Sequence, residues 1–68
     1  MNQWSADIVN DLSDDGNLVM EILHNGNYVA VIKRNNHSLQ MTWYPSNEIR
    51  TIPVDWLMEL FEEVASWT

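Results

Sequence analysis

Two β-prone runs, residues 17–24 and 27–34, flank the dipeptide Asn25-Gly26 and make the strongest local pattern in the chain. Asn-Gly between such runs is the signature of a two-residue hairpin with a type I′ turn, because both turn residues tolerate positive φ. Simple pairing from that turn sets His24 against Asn27, Ile22 against Val29 and Met20 against Val31. One face of the predicted hairpin then carries Leu18, Met20, Ile22, Val29 and Val31 and reads as core. The other carries Val19, Glu21, Leu23, Tyr28, Ala30 and Ile32 and is mixed.

A third strand is expected over residues 38–44, after Asn35-Asn36-His37. Loop parity decides its facing, since a one-residue slip exchanges the two faces. A three-residue loop puts Leu39, Met41 and Trp43 on the core face, with Gln40, Thr42 and Tyr44 outward. A two-residue loop puts them on the mixed face. The three-residue loop separates polar from apolar more cleanly and is the expectation.

Helical periodicity appears at both ends. Near the C-terminus, Trp56, Leu57, Leu60, Phe61, Val64 and Trp67 form an apolar stripe at 3.6-residue spacing. Pro53 is placed at helix position N1, where a missing N–H costs nothing, and Asp55 in the first turn suits the positive end of the dipole. Near the N-terminus, Trp4, Ile8 and Leu12 recur at i, i+4 and i+8, with Ser5 as N-cap and Gly16 as stop, predicting a short amphipathic helix. The expected fold is therefore α+β: a three-stranded antiparallel β-meander packed against a C-terminal helix, with a short N-terminal helix, in the order α-β-β-β-α.

Length sharpens this reading. Sixty-eight residues build one domain, residues 1–68, of two layers. Disulfides and thiolate metal sites are excluded because the chain has no cysteine, and stability must come from apolar burial. Hydrophobic residues make up 46% of the chain and include four tryptophans, enough to anchor a core.

Charge narrows the partners. Ten carboxylates face three basic residues, Lys33, Arg34 and Arg50, for a formal charge of −7. Such a surface repels nucleic-acid phosphates and anionic membranes, so neither direct nucleic-acid binding nor membrane binding is expected. No run approaches the ~20 apolar residues of a membrane span, and the first residues show no basic region followed by an apolar stretch. The expected location is the cytoplasm.

The candidate partner-binding residues are acidic. Asp55, Glu59, Glu62 and Glu63 line one side of the predicted C-terminal helix, and Asp7, Asp11, Asp14 and Asp15 form a second group. Like charges four apart, and glutamates near a helix C-terminus, each carry a small cost. A surface kept for a protein with a basic face accounts for that cost, and a solvated face kept for solubility is the competing reading. The ~6 Å between residues four apart on a helix also approaches the spacing of phosphates along a strand, which admits mimicry of nucleic acid.

The remaining patterns carry less chemistry. Asp11 to Asn17 resembles the start of an EF-hand loop, with oxygen side chains at alternate positions and glycine sixth. Position twelve is Ile22 rather than a glutamate, and a strand follows, so a polar turn is the reading. Tyr28, Tyr44 and the Val19, Leu23 and Ile32 group form either an exposed patch or a second core under the N-terminal helix. His24 and His37 fall beside turns, and no nucleophile, phosphate loop or metal motif is present. The expectation is a non-enzymatic protein without cofactor or metal that acts as a stoichiometric inhibitor or adaptor. The alternative is an assembly subunit that self-associates, for instance as a homodimer, through its sheet face or an open sheet edge.

Overall fold

The computed structural model describes residues 3–12, 16–36 and 38–67. Four strands, β1 (Trp4–Asp11), β2 (Asn17–His24), β3 (Asn27–Asn35) and β4 (Ser38–Trp43), precede one helix, α1 (Val54–Ala65). The strands form a single antiparallel meander in the order β1-β2-β3-β4, so β1 and β4 are its edges. The α+β class holds, but among the described residues the sheet has four strands, and Trp4–Asp11 is a strand where the N-terminal helix was expected.

Residues 4–11 are a strand because pairing outweighs local periodicity. Ser5, Asp7, Asn10 and Asp11 are weak helix formers, and a helix this short does not recover its nucleation cost. As a strand the same residues make an eight-pair ladder with β2, from Trp4 opposite His24 to Asp11 opposite Asn17. The apolar residues Trp4, Ala6 and Ile8 then alternate onto one face. Leu12, expected beside Trp4 and Ile8, lies beyond the strand and is exposed. Gly16, expected as a helix stop, sits at φ 74° in the β1–β2 connection, where its N–H donates to the Asp11 carbonyl at 2.9 Å.

The Asn25-Gly26 turn forms as expected, with φ 52° and 84° at its two residues. It pairs His24 with Asn27 and Leu23 with Tyr28, but the next pair is Ile22 with Ala30, because Val29 is an extra residue in a β-bulge. The run Val29-Ala30-Val31-Ile32 is apolar at every position, so hydrophobic pattern cannot choose its register. The bulge chooses it. Ala30 and Ile32 face α1 and are fully buried, Val29 joins them, and Val31 turns to the opposite face. The expected assignment of Val31 to the core, and of Ala30 and Ile32 to the mixed face, is corrected accordingly.

Beyond β3, the register pairs Asn35 with Ser38, a two-residue connection rather than three. Leu39, Met41 and Trp43 nevertheless lie on the helix face, opposite Arg34, Ile32 and Ala30. The bulge and the shorter connection each invert parity, and the two inversions cancel.

α1 covers this face. Its register is the expected one, with Leu60 and Val64 buried and Trp56, Leu57, Phe61 and Trp67 packed around them. Pro53 stands one position before the helix, at the N-cap with φ −66° and ψ 115°, and its carbonyl accepts the N–H of Leu57 at 3.0 Å. Met20, Ile22, Val29, Ala30, Ile32, Leu60 and Val64 form the core, and each large member contributes about 1.5–3 kcal/mol by burial.

This register sets the cost of substitutions. Ile32→Ala should lose about 2–5 kcal/mol, whereas Thr42→Ala, exposed on the other face, should stay within about 0.5 kcal/mol. Urea unfolding followed by tryptophan fluorescence measures both. Comparable losses at the two positions would contradict the inward facing of Ile32 and the outward facing of Thr42.

Candidate functional site

α1 divides its residues sharply. Leu57, Leu60 and Val64 point into the core, and Asp55, Glu59, Glu62 and Glu63 project from the opposite side, all exposed. Asp55 lies in the first turn and no basic residue lies in the last, so the two C-terminal glutamates oppose the helix dipole without local compensation. Ser66 eases the terminus by donating its hydroxyl to the Glu63 carbonyl at 2.6 Å.

The three basic residues are engaged elsewhere. Lys33 pairs with Asp11 at 2.9 Å. Arg50 donates Nη2 to Glu48 and Nε to His24 Nδ1, each at 3.3 Å, and Arg34 Nε donates to the Asn36 carbonyl at 3.2 Å. The helix carboxylates therefore form a negative surface that no cation of the described residues covers.

Asp7 and Asp11, the described members of the second acidic group, are not part of that surface. Alternation along β1 places Asp7 and Asp11 on the sheet face away from α1, with Ser5 and Val9. Asp7 is exposed, and Asp11 is half-buried and tied to Lys33. Asp14 and Asp15 lie outside the described residues, as do Ser13 in the calcium-loop-like turn and His37. The sheet thus separates the two acidic sets that are described.

The face away from α1 is neither a bare apolar patch nor a second core. Val19 and Val31 are buried on it, with Val9 and Leu23 half-buried beside them, while Asp7, Glu21, Gln40 and Thr42 share the same face. Ile32 belongs to the helix side, and Tyr28 and Tyr44 are exposed.

A polar cluster at the turn end of the sheet was not evident from the sequence. His24 is only 8% exposed. It stacks on Trp4 with ring centroids 4.3 Å apart and accepts from Arg50 through Nδ1, and its Nε2 is buried with no hydrogen-bond partner among the described residues. Trp4 in turn donates Nε1 to the Thr51 carbonyl at 3.0 Å and meets Trp56 at 6.2 Å. An open cleft of ≈ 400 Å³ adjoins this cluster, lined by Trp4, Trp43, Tyr44, Glu48, Arg50 and Ile52. The available signal was parity, since His24 follows Met20 and Ile22 at two-residue spacing and so faces inward with them.

Among the described residues no three His, Asp or Glu side chains gather as metal ligands, and no helix is long and apolar enough to cross a membrane. No protein-family model, curated protein or solved structure matches the chain.

Arg50 holds the 44–53 segment to the sheet through His24. Arg50→Ala leaves the buried Nδ1 without its donor and should cost about 1–3 kcal/mol. Glu48→Gln, at a carboxylate 73% exposed, should cost less than about 1 kcal/mol. Urea midpoints of the two variants test the difference.

Proposed function

We propose that this protein is a small acidic binding module, acting as a stoichiometric inhibitor or adaptor of a larger protein with a basic surface. The observation that carries the reading is the outward face of α1. Four carboxylates stand exposed along 12 residues, and Lys33, Arg34 and Arg50 are all directed to other groups. In this reading Asp55, Glu59, Glu62 and Glu63 steer the partner and form ion pairs at the rim of the contact, which governs on-rate and specificity more than affinity. Asp7 and Asp11 drop out of the primary surface because they lie across the sheet. Mimicry of nucleic acid is then limited to one helical row of charge.

Glu59→Lys combined with Glu62→Lys should abolish capture of the basic partner in a pull-down at low salt, while Asp7→Lys leaves it intact. Capture by the unaltered protein should fall steeply as salt rises, since exposed charges are screened beyond a Debye length of about 8–10 Å. Capture that survives both the charge reversals and high salt would reduce the acidic face to a solubility device.

A further inference from the structure

The opposite flank of the molecule has a different chemistry. β4 is an edge strand of six residues, Ser38–Trp43, with no charged side chain, no proline and no bulge in its pairing. Such devices are what keep exposed edges from pairing. The other edge, β1, carries Asp7 and Asp11. Tyr44 N–H donates to the Val29 carbonyl, so antiparallel alternation turns the N–H and C=O groups of Leu39, Met41 and Trp43 away from β3, toward the open side.

The same flank is apolar in its side chains. Leu39 is 39% exposed and Trp43 48% on the helix face of β4. Above them, Val54, Met58 and Phe61 follow one another at i, i+4 and i+7 on one side of α1, with Val54 61% and Met58 54% exposed. Phe61 meets Leu39 and Met41 in a groove of ≈ 140 Å³, which fixes this side of α1 as the β4 side. Trp56, near Trp4, marks the β1 side. In a chain of charge −7, β4 itself carries no charged side chain, and Arg34 and Glu62 border the flank.

We propose that β4 is a homodimer interface, in which a second copy adds its own β4 antiparallel across a two-fold axis at Met41 and extends the sheet to eight strands. Open backbone groups call for a strand, and this strand is complementary to itself. The two-fold at Met41 sets Leu39 against Trp43 of the second copy, Gln40 against Thr42, and Met41 against itself, so apolar meets apolar on the helix face and polar meets polar on the other. Strands in a sheet lie ~4.8 Å apart, and the added strand brings a second groove and a second Val54–Met58–Phe61 flank beside the first. Of the α1 carboxylates, Glu59 and Glu63 lie toward the β1 side of the helix, and Glu62 follows Met58 by one turn at the border of the contact. A heterologous partner would have to bring both a free strand and a matching apolar flank, and this chain already holds both. The contact borders the acidic helix surface at Glu62 and does not depend on that surface's role.

Sedimentation equilibrium from about 5 to about 500 µM tests the assembly by mass action. The expected result is twice the mass of the 68-residue chain, with association unchanged or tightened by added salt, because salt screens the repulsion between two acidic copies. Met58→Glu and Leu39→Lys should each weaken dimerisation by about tenfold or more by placing a charge in the contact, with far-UV circular dichroism unchanged. Ile8→Lys, on the opposite edge, should leave the dimer intact. A monomer throughout the concentration range overturns the proposal. So does a dimer that dissociates on adding salt, or one broken by Ile8→Lys and not by the two β4-side variants.

Discussion

The β-bulge at Val29 is the constraint on which the rest of the structure depends. The Asn25-Gly26 turn needs positive φ at both residues and so fixes the first pairs of the hairpin. One extra residue then reverses the facing of everything after it in β3. Ala30 and Ile32 become the floor beneath α1, and Val31 leaves it. Without the bulge, Lys33 would share the helix face with Val31. With it, Lys33 reaches Asp11 across the open face. The short Asn35–Ser38 connection inverts the facing a second time, so that Met41 in β4 still lies over the core.

This geometry also sorts the charges. A two-layer domain has few surfaces, and here each has its own character. The outer side of α1 is negative and uncompensated, the open sheet face is mixed and partly ion-paired, and the β4 edge is uncharged. The separation follows from the strand period of two and the helix period of 3.6, which assign neighbouring residues to different surfaces. The acidic outer side of α1 and the uncharged β4 strand therefore belong to different elements of the fold.

Between the sheet and α1, the 44–53 segment is held mainly by side chains. Trp4 stacks on His24 and donates to Thr51, and His24 accepts from Arg50. These contacts link the first strand, the hairpin end and the approach to the helix, residues far apart in the chain. They bring the start of α1 back over the sheet after β4 has carried the chain to the far edge.

Local chemistry determined the elements whose cause lies within a few residues. The Asn25-Gly26 turn is one, since positive φ is a property of those residues. The inward stripe of α1 is another, since Leu57, Leu60, Phe61 and Val64 read the same in any helical context, and with it the outward row from Asp55 to Glu63. Only the tertiary structure decided the state of residues 4–11, whose i, i+4 spacing suits a helix until β2 offers an eight-pair ladder. It alone chose the register of Val29–Ile32, because four consecutive apolar residues satisfy either face. It alone made His24 a buried partner of Trp4 and Arg50, since that contact joins residues 20 and 26 positions apart. The physical reason is the same in each case: backbone pairing and long-range packing act between segments, and a single segment's pattern does not contain its partner.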